Sequence, residues 1–177
     1  DNANDQTRLH KPLIKGARVS MKIAILGNMD VEGEEGVEVK HYNINAFYPN
    51  KKIEGEFDRI FVSNSLPELG RDEVMRFLDR ARNALAENGK LSIQVPMAEY
   101  AAKQLFTNKA DQITYFMLYG TDDHPFKACY TMMQIRSLLA RAGYNVTEAS
   151  EAILKLKTIE GEVIDLPVHS VTAVRND

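Results

Sequence analysis

The sequence predicts an α/β fold with a mainly parallel sheet, flanking helices and an antiparallel edge near the C-terminus. Two features of the chain support this fold class. From residue 21 to residue 142, short apolar runs alternate with amphipathic helical segments, which is typical of parallel strands joined by helices. After residue 143, strand-like runs follow one another with no helix between them, which favours antiparallel strands at one edge of the sheet.

Size and composition fit one ordinary globular domain. The chain has 177 residues, 22 basic and 25 acidic side chains, a net charge of −3, and no apolar run near the roughly 18 residues that span a bilayer. A single cysteine, Cys129, excludes an internal disulfide and a cysteine-rich zinc site, favours a reducing, cytoplasmic location, and is expected to be buried and inert. The mildly acidic charge, without a basic block, disfavours a dedicated nucleic-acid binder. No group of side chains has metal-ligand spacing, so no metal site is predicted.

The first part of the chain combines a polar segment with three predicted strands. Residues 1–20 are polar and aperiodic, so we expect a flexible arm ahead of a single domain over residues 21–177. Apolar runs closed by glycine or serine predict strands at 21–27 and 57–63, and a looser alternation predicts a strand at 37–44.

The middle of the chain carries the clearest helix. An apolar stripe at helical spacing, which includes Leu85, predicts a helix over residues 71–87. We expect Gly89 to end it, because glycine adopts the left-handed conformation after a helix at little cost. The run at 90–95 then predicts a strand.

Two further helices and a strand-rich end complete the predicted elements. A helix is predicted over 97–105, followed by a partly helical stretch. Thr131 and Gln134 form a capping-box pair that begins the next helix, and Gly143 ends it. Three closing strands are expected, at 144–149, 153–159 and 168–174.

Two segments of the chain carry recognisable motifs. The first is Glu56-Phe-Asp-Arg-Ile-Phe-Val-Ser-Asn-Ser-Leu-Pro-Glu-Leu69, followed by a helix and Glu87-Asn-Gly-Lys-Leu-Ser-Ile-Gln-Val95. The second is His124-Pro-Phe-Lys-Ala-Cys-Tyr-Thr131, followed by Ile135-Arg-Ser-Leu-Leu-Ala-Arg-Ala-Gly-Tyr144. In this order, the two resemble the second half of a class I S-adenosylmethionine-dependent methyltransferase over about half of the chain. The resemblance implies a Rossmann-like sheet, S-adenosylmethionine as cofactor and methyl transfer as the activity.

The first half of the chain departs from that family's pattern. The family follows its first strand with a glycine-rich loop, a helix and a second strand that ends in an acidic residue. Here Gly27 is followed by Asn28, and only about thirty residues separate Gly27 from Asp58, so the cofactor half is short. A catalytically inactive methyltransferase fold that works as a binding or assembly module is therefore the alternative to an enzyme.

The resemblance implies cofactor-binding residues in this short half. Gly27 and Asn28 correspond to the cofactor loop, although a plain turn after a strand has the same composition. Among the carboxylates of this segment, Asp30 and Glu38 are the first candidates to accept hydrogen bonds from the ribose hydroxyls. A dense acidic run is also typical of a solvated loop.

Polar residues after the second and third strands extend the candidate site. Asn43 and Asn45 lie where the family contacts adenine, and turn chemistry is the competing explanation. The segment Ser63, Asn64 and Ser65 follows a strand, where it would line the methyl-transfer site or lead into the helix.

His124 is the candidate catalytic residue. Imidazole titrates near neutrality, and a neighbouring carboxylate from Asp122 or Asp123 would raise its basicity, so His124 is a possible general base or simply a surface residue. Three aromatic residues are candidates for the wall of a pocket or for core packing: Tyr115, Phe116 and Tyr119.

The predicted function is methyl transfer from S-adenosylmethionine to a small-molecule or sugar-like acceptor. The expected partners are that acceptor and, as an open possibility, a second copy of the chain. A membrane and a nucleic acid are not expected as partners.

Overall fold

The computed structural model describes residues 21–27, 29, 35–47, 55–157 and 161–176, which form a six-stranded sheet and four α-helices. The strands are β1 (Met21–Gly27), β2 (Val37–Tyr42), β3 (Phe57–Ser63), β4 (Leu85–Pro96), β5 (Tyr144–Lys157) and β6 (Val163–Arg175). The helices are α1 (Arg71–Ala84), α2 (Ala98–Phe106), α3 (Gln112–Tyr119) and α4 (Met132–Arg141).

The sheet is parallel at one side and antiparallel at the other. Its strand order is β2-β1-β3-β4-β6-β5, and the first four strands in that order are parallel neighbours. β6 runs antiparallel to both β4 and β5. The predicted α/β class, with an antiparallel C-terminal edge, is therefore confirmed. The arm predicted at residues 1–20 lies outside the described residues.

The main core lies between one face of the sheet and the helices α1 and α4. Ile60 of β3 and Leu91 of β4 are register partners, and both are fully buried in it. Phe77 of α1 and Leu139 of α4 belong to the same cluster. Burial of that many large side chains on one face is the dominant stabilising contribution to such a domain.

The opposite face of the sheet is only partly covered. The register of β4 and β6 places Ser92 beside Thr172 on this face, and their hydroxyl oxygens lie 3.2 Å apart. Beyond the end of β4, β5 and β6 continue as a hairpin against which α2 and α3 pack. A second, smaller core forms there from Ala101, Met117, Leu166 and Val168.

The helix predicted at 71–87 ends earlier than expected. α1 stops at Ala84, and Leu85 pairs with Phe57 of β3 as the first residue of β4. The prediction was wrong because Leu85 continues the apolar stripe of the helix in the sequence, whereas in the structure it is buried as a residue of the sheet. The left-handed residue that follows is Asn88, with a φ of 63°, and not the expected Gly89.

The C-terminal end contains two long strands and not three short ones. The segment expected at 144–149 and the described part of the one expected at 153–159 belong to one strand, β5, whose pairing with β6 continues from Tyr144 to Lys157, and residues 158–159 lie outside the described part of the chain. Its register shifts once, between Val146 and Glu148. Such a bulge leaves one residue without a register partner and bends the strand, and the pairing resumes beyond it.

Other local predictions are confirmed. The Thr131 side chain accepts a hydrogen bond from the Gln134 amide, and the Gln134 side chain accepts one from the Thr131 amide, which is the predicted capping box. Gly143 follows α4 with a φ of 79°. Cys129 corrects an expectation, since it is exposed and not buried. Among the described residues, no helix combines the length and the apolar character needed to cross a membrane.

Candidate functional site

The carboxyl ends of β1 and β3 border a cavity of about 260 Å³. Gly27 and Ser63 are register partners at these two ends, and both line the cavity. Ligands of open α/β sheets bind in this position, because the loops that follow parallel strands diverge there and leave a crevice.

The two loops approach each other closely at Gly27. This residue has a φ of 106°, and a Cβ built on it would overlap the carbonyl oxygen of Ser63. The Ser65 hydroxyl donates a hydrogen bond of 3.1 Å to the Leu26 carbonyl, which ties the loop after β3 to the end of β1. Only glycine meets both the conformation and the space at position 27.

Asn64 has an unusual backbone and an unpaired side-chain acceptor. Its φ is 53°, and its amide donates a 2.9 Å hydrogen bond to the Gln94 carbonyl of β4. Its Oδ1 is buried and has no hydrogen-bond partner among the described residues, and the residue lines the cavity. A buried acceptor without a partner is costly, so this atom is available to a ligand that carries a donor.

His124 lies on the cavity beside Glu68. His124 Nδ1 is 3.4 Å from Glu68 Oε2, and the same oxygen accepts a 3.4 Å hydrogen bond from Asn45 Nδ2. The Glu68 side chain is only 12% exposed, against 46% for His124. The carboxylate predicted beside His124 was Asp122 or Asp123, whereas the structure supplies it from Glu68, which is 56 residues earlier in the chain.

The structure brings together most of the residues predicted for the site. Six of the candidates line the cavity: Gly27, Asn43, Ser63, Asn64, Ser65 and His124. Asn45 stands next to it through its contact with Glu68. The Asn43 side chain accepts a 2.8 Å hydrogen bond from the Asn45 amide and begins a 3₁₀ turn at Ile44–Ala46, so turn chemistry applies here as well.

One predicted cofactor residue, Glu38, lies away from the cavity, and two others lie outside the described residues. Glu38 lies near the start of β2, at the end of the strand away from the cavity, where its carboxylate pairs with Lys40 Nζ at 3.3 Å. The structure therefore does not support the expectation that it holds a ribose. Asn28 and Asp30 lie outside the described residues.

Apolar side chains complete the wall of the cavity, and two of them, Phe126 and Leu156, were not singled out from the sequence. Phe116 and Phe126 line it with their ring centroids 5.8 Å apart, and Leu156 reaches it from the β5–β6 hairpin. Of the aromatic candidates, Phe116 is therefore part of the wall, whereas Tyr115 and Tyr119 are exposed. The alternation of Leu154 and Leu156 was the available signal, but it shows a buried strand face without showing what covers it.

Comparison with solved structures places this arrangement among known folds. A SAM-dependent methyltransferase from Methanosarcina mazei superposes with a TM-score of 0.55 at 12% identity, covering 89% of this chain and 93% of that one. The YcgJ protein from Bacillus subtilis gives 0.53 at 9% identity, with coverages of 90% and 94%. The chain has the class I methyltransferase fold. No family model and no curated protein matches the sequence.

Some larger proteins share the methyltransferase fold over part of their length. A protein studied for the conversion of a disulfide bond into a thioacetal group during echinomycin biosynthesis gives a TM-score of 0.53 at 13% identity, covering 79% of this chain. The present chain spans 56% of that protein.

Within the methyltransferase fold, the region around β1 and β2 departs most from the family pattern. Nine residues, 28–36, connect the two parallel strands, fewer than the dozen or more of a usual crossover that contains a helix. At the cavity end of β2, where the family has an acidic residue, the chain has Tyr42 and Asn43. Among the described residues that line the cavity, Glu68 contributes the carboxylate.

Proposed function

We propose that the protein binds S-adenosylmethionine in the cavity at the carboxyl ends of β1 and β3 and transfers its methyl group to a small-molecule or sugar-like acceptor. The observation that carries this proposal is the junction of Gly27 with Ser63, where two strand ends of a methyltransferase fold open onto a crevice with polar and apolar walls. When bound, the cofactor supplies a methyl group on a positively charged sulfur.

Side chains around the cavity suit that ligand. The unpaired Oδ1 of Asn64 can accept a hydrogen bond from the ammonium group of the methionine part. Glu68 places a carboxylate on the cavity, which favours a ligand with net positive charge. Asn43 and Asn45 are the candidates for the exocyclic amine of adenine.

His124 is proposed to remove the proton from the acceptor. If Nδ1–H donates to Glu68, Nε2 carries the lone pair and can accept that proton. Glu68 then acts as a positioning residue, because it fixes the tautomer and the ring orientation. The apolar side chains of Phe116, Phe126 and Leu156 would exclude water around the acceptor.

The second candidate function is a binding or assembly module without catalysis. It is favoured by the short β1–β2 connection, by the lack of a carboxylate on Tyr42 and Asn43, and by a cavity smaller than the roughly 300–1,000 Å³ of typical ligand sites. In this case the partner is an unassigned molecule or a second copy of the chain.

Titration with the cofactor tests the first proposal. Thermal unfolding and calorimetry with S-adenosylmethionine and its demethylated product should show saturable binding, and a ligand at 100 times its Kd adds about 2.7 kcal/mol to the free energy of unfolding. A flat titration with both compounds would leave the binding-module function.

A matched pair of variants tests the site of binding. Asn64→Gly keeps the left-handed backbone, removes the unpaired amide, and is expected to weaken cofactor binding about tenfold. Asn88→Gly makes the same change at an exposed position with a φ of 63° and should leave binding unchanged. Equal affinities for the two variants would exclude Asn64 as a ligand.

A cytoplasmic location is also proposed. It is supported by the single cysteine, which is more typical of reducing compartments than of secreted, disulfide-bonded proteins.

A further inference from the structure

The sheet face opposite α1 and α4 carries a second, polar cavity of about 170 Å³. It shares no lining residue with the cavity at the carboxyl ends of the strands. The side chains that line it come from β3, β4, β6 and β5, because alternate residues of those strands point to this face. A sheet built mainly from parallel strands is usually covered on both faces, so an open polar area on one is notable.

Two positive charges stand side by side at one end of this second cavity. Arg59 and Lys90 are register partners on β3 and β4, and both line the cavity in half-buried positions. No acidic side chain within the described part of the chain pairs with either of them. The guanidinium of Arg59 lies 5.8 Å from the centroid of the Phe61 ring, which keeps it on the sheet.

Such a pair favours an anion. Directly opposite like charges on a sheet destabilise it, and a bound oxyanion converts the repulsion into two charge-assisted hydrogen bonds. The arginine is suited to a phosphate because its guanidinium presents a planar fork of donors.

Two hydrogen-bond acceptors line the parts of the cavity away from these charges, one further along β4 and one across the sheet on β5. Gln94 Oε1 is buried and has no partner among the described residues, and Glu148 contributes an exposed carboxylate from β5. The hydroxyl groups of three further residues line the same cavity: Ser92 and Thr172 are level with Glu148 in the register, and Ser170 is level with Gln94. Hydroxyl groups of a ligand would satisfy Gln94 and Glu148, whereas a second anionic group would be repelled by Glu148.

We propose that this second cavity binds a small phosphorylated polyol. The phosphate lies over Arg59 and Lys90, and the hydroxyl groups of the polyol donate to Gln94 Oε1 and to the Glu148 carboxylate. The site is independent of the cofactor cavity, so it can bind its ligand whether or not the chain is a methyltransferase.

Binding is tested with three probes on the full chain: inorganic phosphate, glycerol 3-phosphate and glycerol. We expect saturable binding of glycerol 3-phosphate. Calorimetry measures the affinity, and the backbone amide NMR shifts of Lys90, Ser92 and Thr172 report the place of binding. Inorganic phosphate should bind more weakly at the same amides, and glycerol alone should not bind measurably. Added salt should weaken the binding of both anions, because their contacts with the protein are electrostatic.

Charge-matched variants locate the site. Arg59→Gln with Lys90→Gln should weaken glycerol 3-phosphate binding by at least about tenfold, since two charge-assisted contacts are lost. The control, Lys103→Gln with Arg136→Gln, removes the same charge from exposed positions on α2 and α4 and should bind as the parent does. The Arg59/Lys90 variant loses the like-charge contact and also the Arg59–Phe61 contact, so urea unfolding is measured beside binding, and a variant that unfolds as the parent does but no longer binds places the ligand on these two side chains.

Each alternative outcome overturns a stated part of the proposal. Absence of binding by all three probes, or equal weakening in the control variant, would reject the site. Equal affinity for phosphate and glycerol 3-phosphate would reject the polyol part and leave an anion site. A third variant, Gln94→Leu, should lower the affinity for glycerol 3-phosphate and leave that for phosphate unchanged.

Discussion

The two faces of the sheet are built on different chemistry. On the face below α1 and α4, Ile60, Val62 and Leu91 are at most 1% exposed and form one core with the helices. On the other face, Arg59 and Lys90 occupy the neighbouring positions of the same strands.

The comparison shows that β4, which pairs in parallel with β3, carries an alternating pattern that is more familiar from antiparallel sheets. Buried parallel strands usually consist of nearly continuous apolar runs, because both faces are covered. β4 instead alternates polar and apolar residues from Lys90 to Val95, which suits one covered and one open face. Stability therefore resides mainly on one face, and the other face is free to carry polar groups.

The largest expected difference between the faces comes from two phenylalanine variants. Phe77 is fully buried and its ring lies 6.0 Å from that of Phe47, so Phe77→Ala should lower the free energy of unfolding by about 3–5 kcal/mol. Phe61 lies half-buried on the open face, and Phe61→Ala should lower it by about 1 kcal/mol through loss of packing and of the Arg59 contact. Urea unfolding measures both, and similar losses would contradict the division between the faces.

A smaller effect is expected where the strand ends meet the cavity. Gly27→Ala should lower the free energy of unfolding by roughly 2–3 kcal/mol, because the new Cβ meets the Ser63 carbonyl in an already unfavourable backbone conformation. Gly36 has a similar φ, 89°, with open space around it, so Gly36→Ala should lower the free energy of unfolding by only about 1 kcal/mol. If the two glycines respond equally in thermal unfolding, backbone conformation alone explains both and close approach at the cavity plays no part.

A single buried hydrogen bond on the covered face should contribute still less to the free energy of unfolding. The Tyr144 hydroxyl donates to the Leu78 carbonyl at 2.9 Å, and burial raises the pKa of this phenol well above its ordinary value. Tyr144→Phe removes the side-chain hydrogen bond to a carbonyl that lies within α1, and should reduce stability by about 1–1.5 kcal/mol in urea unfolding. Tyr119→Phe alters an exposed phenol and is the control, with no measurable change expected.

The smallest expected effect is a change of stability with pH at the start of α3, on the partly covered face of the sheet. The Asp111 side chain accepts a 2.9 Å hydrogen bond from the Thr114 amide at the start of α3, and this bond holds the pKa of the carboxyl below its ordinary value of 3.8. Its contribution is therefore fully present above that value and is lost as the pH falls through the lower pKa of the folded state.

Variants at this position separate the cap from its charge. Asp111→Ala should lower the free energy of unfolding by about 1 kcal/mol at neutral pH, and the difference from the parent should shrink in acid. Asp111→Asn keeps an acceptor for the Thr114 amide and should be nearly as stable, without that acid dependence. Urea unfolding at several pH values measures this, and a parallel pH profile for all three proteins would contradict the assignment.

Elements decided by local chemistry could be predicted from the sequence. β1, β3 and the Thr131 cap of α4 are correct because apolar runs and capping pairs act over a few neighbouring residues. The end of α1 could not be predicted, since Leu85 fits a helical stripe and only its long-range partner Phe57 places it in the sheet.

The candidate site likewise contains residues that the sequence predicts and residues that only the tertiary fold brings in. Gly27 and Ser63 were accessible to sequence reasoning because residues that follow parallel strands meet at one edge of the sheet. The partner of His124 was not, because Glu68 reaches it only through the tertiary fold, whereas Asp122 and Asp123 were suggested by their adjacency in sequence. The apolar wall from Leu156 depends in turn on how far the C-terminal hairpin extends past β4.

The position of β6 constrains the order in which this sheet can be assembled during synthesis. β6 follows the other five strands of the described sheet in sequence but lies between β4 and β5, so both of those strands present open backbone edges until residues 163–175 have left the ribosome. Nascent chains halted before that point should therefore be prone to association through these edges and should be preferred clients of chaperones.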